Sequence, residues 1–310
     1  MLDGSVRILN LDNSVVSQTE ILQQFRPAIV DCTDISASCR LWANRKTACK
    51  IKERLTPELK GAITFLGSGD FHHISGFLLE QFQEPLTVIV FDHHPDWDIL
   101  PPRWGCGSWV TTILKRQNIK KVILLGVSSE DISSLEVQTG NLGSLRDNRV
   151  EIYPYLHRPT AALCKKVPDD TVSIKVTRGL FCSRIHWRQL RTENLTGLFW
   201  EIVKRLEMKQ VYVSIDKDCL TSRYSLTNWE AGYFDLEELL LLLRLIKENL
   251  DIVGLDIVGD YSLPRTRGVF KAFFSRLDHP RHYSARGHSA STIGMVNGCT
   301  NRKILELLRT

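Results

Sequence analysis

Short apolar runs alternate along this chain with longer amphipathic stretches, and the spacing of the apolar positions tells the two apart. Residues 6–11, 62–66, 86–91, 121–125, 150–155, 172–176, 210–215 and 252–258 read as strands. The run LTVIVF at 86–91 is continuously β-rich, the pattern of a strand covered on both faces. Between these runs, apolar residues recur at helical spacing over 18–25, 41–55, 74–83, 109–117, 195–208, 236–248 and 303–309. Leu236, Leu239, Leu240 and Leu243 form one such stripe, ordinary core packing for a helix. Strand–helix alternation of this kind predicts parallel strands with helices on both faces of the sheet. Two polar segments, 134–147 and 264–289, interrupt the rhythm and read as surface excursions, the second a tail or a flap over a site.

Composition narrows the class. The 310 residues are 43% hydrophobic, enough for a large core in one domain spanning 1–310. The formal charge of +5 is mild and spread along the chain, so neither nucleic acid nor membrane is expected as a partner. The eight cysteines have irregular spacing and no CxxC pair, which favours reduced thiols over a disulfide framework. The first residues, Met1-Leu2-Asp3-Gly4-Ser5, do not follow the basic-then-apolar order of a secretory signal. The most apolar helix is broken by Glu237, Glu238 and Arg244 and is too short to span a bilayer. A cytoplasmic protein acting on a small molecule, with a homo-oligomer open to it, is the expectation.

The chemistry concentrates where strands end. Asp92, His94 and Asp96 follow the buried run 86–91 at i, i+2, i+4 spacing, which in extended backbone puts all three side chains on one side. Asp216 and Asp218 repeat the pattern after 210–215. A single pair of this kind would read as a helix cap or a solvated turn. Two acidic clusters at two strand ends supply the ligand inventory of a two-metal centre, and mixed oxygen and nitrogen donors suit manganese, zinc or iron better than calcium. A third segment, Gly67-Ser68-Gly69-Asp70-Phe71-His72-His73, joins a strand to a helix. Its glycines are a weak phosphate-loop signal, and either histidine could turn toward the clusters.

The motif Asp92-x-His94-x-Asp96 resembles the DxHxD motif of the ureohydrolase (arginase/agmatinase) superfamily. Ser214-x-Asp216-x-Asp218 resembles its SxDxD motif, Gly67–His72 its GGDH motif, and Leu255-Asp256-Ile257 its later LDI strand, all in the family's order. The resemblance runs from about residue 62 to about 261. It implies a three-layer α/β/α fold with a parallel sheet of about eight strands, the arginase/deacetylase-like architecture. It also implies a binuclear centre, manganese by preference with Zn2+, Fe2+ or Ni2+ as alternatives, ligated by His72, Asp92, His94, Asp96, Asp216 and Asp218. His72 is preferred to His73 because Gly69-Asp70-Phe71-His72 lies on GGDH without a gap.

The expected activity is hydrolysis of a C–N bond in an amidine, guanidino group or linear amide by a metal-bridging hydroxide, with Asp218 holding it and taking a proton. Departures from the family pattern bear on the substrate. Arginases and agmatinases carry a glutamate after the LDI strand that pairs with the guanidinium group; here Gly259 stands there, followed by Asp260, a candidate replacement. The DP that follows SxDxD is absent, and the shuttle histidine of arginases gives way to Trp104-Gly105-Cys106-Gly107. Cys106 is therefore a candidate acid/base or nucleophile, or else a small packed thiol beside a turn. Arg103 is a candidate for binding a substrate anion, and Trp97 and Trp104 for an aromatic wall. His157, His186, His279, His282 and His288 have no ligand-like spacing and read as surface residues. The rival readings are a one-zinc amide deacetylase and a non-catalytic binding protein on the same scaffold.

Overall fold

A computed structural model describes residues 2–55, 60–163, 167, 169–279 and 282–309. Eight strands form one sheet of parallel neighbours: β1 (Val6–Asn10), β2 (Ala28–Asp31), β3 (Ile63–Gly67), β4 (Leu86–Phe91), β5 (Ile119–Leu125), β6 (Val150–Tyr153), β10 (Gln210–Asp216) and β11 (Asp251–Val258). Their order is β2-β1-β3-β11-β10-β4-β5-β6. The remaining strands, β7 (Thr160–Leu163), β8 (Ile174–Thr177) and β9 (Cys182–Trp187), make a separate antiparallel sheet. Among the described residues no helix is long and apolar enough to cross a membrane. None of the seven described cysteines is disulfide-bonded; Cys164 lies outside the described residues.

Alternate side chains of the central strands feed two cores. Val88 and Val90 of β4 and Val122 and Leu124 of β5 pack on one face. There they meet α2 (Thr33–Cys39), α3 (Arg45–Arg54), α4 (Ile74–Leu79) and α5 (Trp109–Ile113). Ile89 and Phe91, with Ile123 and Leu125, pack on the other. That face is covered by α1 (Thr19–Phe25), α7 (Leu195–Arg205), α8 (Leu236–Asn249) and α10 (Ala290–Arg309). Burial on both faces explains why β4 and β10 lack a polar alternation. Helix α8 starts on a reciprocal cap, with Asp235 N donating to Glu238 Oε2 (2.9 Å) and Glu237 N to Asp235 Oδ1 (3.0 Å).

Several elements differ from the sequence expectation, each for a physical reason. The helix expected at 303–309 is the end of the 20-residue α10. Its first half is disguised by polar residues that are buried because they bond to neighbouring segments. Asn297 accepts from Leu226 N (2.9 Å) and donates to Leu226 O (2.8 Å), and Asn301 donates to Gln18 Oε1 (2.8 Å). The strand expected at 172–176 is β8, outside the parallel sheet. Its partner β9 carries no apolar run, because Ser183, Ile185 and Trp187 face inward between neighbours that face out. The excursion 264–289 contains a helix, α9 (Val269–Asp278), and 134–147 contains the short helix α6 (Leu142–Arg146) anchored by buried Leu142 and Leu145. The helix expected from residue 41 begins only at Arg45, capped by Asn44 accepting from Thr47 N (2.9 Å).

Strand order and register position the site. Ile215 lies beside Phe91, and Asp216 beside Val258, which lies beside Gly67. The carboxyl ends of β3, β11, β10 and β4 therefore open at one level, where ligands bind in open α/β sheets.

Candidate metal centre

Three strand-end loops bring the sequence-predicted ligands together. After β3, a tight turn over Gly69–Phe71 carries His72 toward the other two loops, so that its Nδ1 lies 3.1 Å from Asp92 Oδ2, 3.0 Å from Asp96 Oδ2 and 3.6 Å from Asp216 Oδ2. His94 Nδ1 lies 2.9 Å from Asp218 Oδ2 and 3.7 Å from Asp92 Oδ1. Two donor groups result, His72–Asp92–Asp216 and Asp92–His94–Asp218, each with its ligand atoms within 4.8 Å of one another and with Asp92 common to both. Asp96 stands at the edge of the first group, its Oδ2 also accepting from the Trp109 indole (2.7 Å). His73 turns away: its buried ring packs on Phe77, and neither ring nitrogen has a hydrogen-bond partner. Burial, helped by the charges of Lys271 and His72, lowers its pKa to about 3.

The electrostatics of this cluster call for a cation. Burial and the charge of Asp92 push Asp96 up to about 7 and Asp218 up to about 6; burial with Asp218 and Asp92 pushes Asp216 well up. Burial alone would lower His72 and His94, but the facing carboxylates raise both. Without a cation the cluster avoids gathering bare negative charge only by keeping protons on its carboxyls and imidazoles. Asp92 Oδ2 is buried yet receives no hydrogen bond of sound geometry. Mixed carboxylate and imidazole donors with one carboxylate shared between two groups fit a pair of divalent transition-metal ions.

Outside the cluster a buried relay orients His72. Tyr212 OH donates to Asp256 Oδ2 (2.7 Å), and Ser75 and Ser214 hydroxyls both donate to Asp256 Oδ1 (2.9 and 2.8 Å). With its proton committed to Asp256, Ser214 Oγ can only accept from His72 Nε2, 2.9 Å away. That leaves the Nδ1 lone pair of a neutral imidazole aimed at the carboxylates, the orientation a metal ligand needs. Asp70, next to this turn, points elsewhere. It pairs with Arg40 and accepts from the Trp229 indole (3.0 Å), and its Oδ1 lies 3.0 Å from His279 Nε2. Burial would raise its carboxyl, but His279 and Arg40 outweigh burial and hold it at about 2.

Glycines are required where the carboxylates pack. A Cβ on Gly69 would lie 2.7 Å from Asp216 Oδ2. Gly259 has φ +91°, and a Cβ there would lie 2.5 Å from Asp216 Oδ1 and 2.7 Å from Lys217 N. There is thus no room for a side chain at the position where the resemblance expects glutamate.

A cavity of about 620 Å3 opens above the cluster, a size suited to a small molecule. Trp97 and Cys106 line it, the latter half-buried with its N–H donating to Leu41 O (2.8 Å). Two sequence-predicted substrate residues do not. Asp260 is buried and pairs with Lys217 Nζ (2.9 Å) while accepting from Gln18 Nε2 (2.7 Å), so its charge is already neutralised away from the cavity. Arg103 is exposed and outside the lining, and Trp104 packs on Phe77 instead of forming a wall. His279, expected on the surface, is held at Asp70 and stacks on Trp229 (5.2 Å). Sequence reading also missed Trp229, Glu230 and Trp109. Glu230 Oε2 lies 3.7 Å from His94 Nε2, and Trp229 lines the cavity, although neither falls in a motif.

No protein-family model matches the chain. A Thermotoga maritima protein described only as uncharacterized is 28% identical over 211 residues, 67% of this chain but 61% of that protein, so the match spans less than two thirds of the relative. Among solved structures, an arginase from Bacillus subtilis matches with a TM-score of 0.56 at 15% identity, covering 98% of this chain and 97% of that one. Proclavaminate amidino hydrolase from Streptomyces clavuligerus matches at 0.53 and 14%, covering 99% and 88%. A Trypanosoma cruzi formiminoglutamase solved with Mn2+ matches at 0.51 and 14%, covering 96% and 92%. At such identities the likeness is one of fold.

Proposed function

We propose that this chain, whose fold is that of the ureohydrolase superfamily, is a divalent-metal-dependent hydrolase of a C–N bond in an amidino group or a linear amide. The observation that carries the reading is the pair of carboxylate–imidazole groups sharing Asp92 at the floor of a small-molecule cavity. His72, Asp92, Asp96 and Asp216 would hold one ion, and Asp92, His94, Asp216 and Asp218 the other, with manganese the first choice. Bound ions would supply Lewis acidity and make water nucleophilic near neutral pH.

The chain's own groups do the rest. Asp218, whose Oδ2 faces His94 Nδ1 at 2.9 Å and whose Oδ1 is fixed by His93 N at 3.1 Å, takes the proton released as water adds to the substrate carbon. Glu230, facing the far side of the His94 ring, holds that ring in place. Trp97 and Trp229 shield the reacting atoms from bulk water, and Cys106 shapes the adjoining wall.

The test is metal content and turnover measured together. Protein stripped with chelator and reconstituted with Mn2+, Zn2+, Fe2+ or Ni2+ should bind about two ions per chain and release ammonia, urea or formamide from some member of an amidino and linear-amide panel. Asp92→Asn should lose ions from both positions. Protein that binds less than about one ion after reconstitution and turns over nothing overturns the reading; full metal with no turnover points to a binding protein instead.

A further inference from the structure

Helix α9 is built inside out. Val269, Phe270, Phe273 and Phe274 stand at i, i+1, i+4 and i+5, which is one face of a helix. That face looks into solvent: Val269 is 86% exposed, Phe270 83% and Phe273 58%. The opposite face is polar and buried, and it anchors the helix to the rest of the chain. Lys271 Nζ donates to Ser38 O (2.7 Å) and Trp42 O (2.6 Å) and lies over the Trp42 ring at 4.8 Å. Ser275 Oγ lies 3.2 Å from His279 Nδ1. Phe274, at the edge of the exposed face, meets Trp42 edge-on (6.2 Å) and lines the cavity above the metal centre.

The surroundings of this face are basic. No acidic residue occurs between Asp260 and Asp278. Arg265 and Arg267 precede the first turn of α9, Arg276 borders its apolar face, and all three are exposed. Among the described residues none of the three forms an ion pair. The chain-wide charge of +5, too mild to suggest a membrane partner, conceals this local clustering. A contiguous exposed apolar face marks an interaction surface. Symmetric pairing of two copies through it would bring like charges together. An anionic bilayer surface meets both demands at once, because its acyl boundary accepts phenylalanines while its headgroups face the arginines.

We infer that α9 and the loop before it dock this protein peripherally on an anionic lipid surface. Phe270 and Phe273 enter the boundary between headgroups and acyl chains, and Arg265, Arg267 and Arg276 face acidic headgroups. A helix of 10 residues lies along such an interface and does not cross it. Because Phe274 belongs to both the exposed face and the cavity lining, docking sets the cavity beside the membrane. The surface is independent of the chemistry at the metal centre.

The experiment co-sediments the full-length protein with vesicles of phosphatidylcholine alone or of equal parts phosphatidylcholine and phosphatidylglycerol. Binding to the anionic vesicles should be at least about tenfold tighter and should weaken as salt is raised. The paired variant Arg265→Gln with Arg267→Gln should lose about tenfold or more of that affinity. Phe270→Ser with Phe273→Ser should lose at least as much, since both rings leave the acyl boundary. Hydrogen exchange on the unsubstituted protein gives a reading that needs no variant: amides of 263–277 should exchange more slowly when anionic vesicles are added. Equal binding to the two vesicle types, binding to neither, affinity unchanged in either paired variant, or protection that leaves out 263–277 overturns the inference. Self-association that the phenylalanine pair abolishes, without vesicle binding, assigns the face to a second copy and overturns it as well.

Discussion

Gly259→Ala tests whether the missing side chain beside the site is a packing requirement. The backbone at Gly259 has φ +91°, and an added Cβ would approach Asp216 Oδ1 to 2.5 Å and Lys217 N to 2.7 Å. The left-handed backbone alone costs about 1–2 kcal/mol for a residue with a Cβ. Overpacking a well-filled site adds about 1–3 kcal/mol, so the whole effect should reach about 2–5 kcal/mol. The collision has a specific consequence, because Asp216 Oδ1 accepts from Asp218 N at 3.0 Å. A displaced Asp216 loses that bond and leaves its place in the His72–Asp92–Asp216 group. Gly4→Ala provides the control: its φ is +74°, and nothing lies within 4 Å of the new Cβ, so it carries the backbone cost alone. Urea unfolding of metal-free protein should place Gly259→Ala below Gly4→Ala by at least about 1 kcal/mol, and calorimetric titration should show weakened or sub-stoichiometric Mn2+ binding only in the former. Equal stabilities with intact metal binding would refute the packing argument.

Two further perturbations follow from buried carboxylates. Asp256→Asn removes an acceptor for the Ser75, Ser214 or Tyr212 hydroxyl and with it the constraint on His72 Nε2. Metal affinity should fall about 10–100-fold, and affinity unchanged by titration would show that the relay does not orient the ligand. Glu151 accepts from Lys121 Nζ (2.6 Å), Tyr153 OH (2.7 Å) and Arg205 Nη2 (3.0 Å). Burial would raise its pKa, but Lys121 leads the groups that bring it below the ordinary glutamate value. A depressed carboxyl stabilises the fold above its unfolded pKa, near 4.3, and loses that contribution as pH falls through the folded value. Glu151→Gln should therefore cost about 2 kcal/mol at neutral pH, with the gap from wild type closing below about pH 4. Denaturation curves across pH that keep a constant gap would contradict the linkage.

The sequence alone determined the elements that announce themselves locally. Short runs rich in β-branched residues such as 86–91 read as strands buried on both faces, and carboxylates at i, i+2 in extended backbone after two such runs point the same way. Strand-end placement then makes Asp92, His94, Asp96, Asp216 and Asp218 readable as one site without the sheet order. Tertiary structure decided what depends on which elements meet. His72 and His73 are neighbours in sequence with the same local signal, and only the turn at 69–71 sends one toward Asp92 and the other against Phe77. Asp260 looked like a substrate ligand because its position in the chain is right. Its carboxylate is taken up by Lys217 and Gln18, partners distant from it along the chain. The first half of α10 and strand β9 were hidden by polar residues, since burial of Asn297 or Ser183 is affordable only with partners or neighbours supplied from elsewhere in the fold. Asp98 and Asp131 belong to different loops, and no pattern in the chain relates them; the sheet order that sets β4 beside β5 brings both to the same cavity wall.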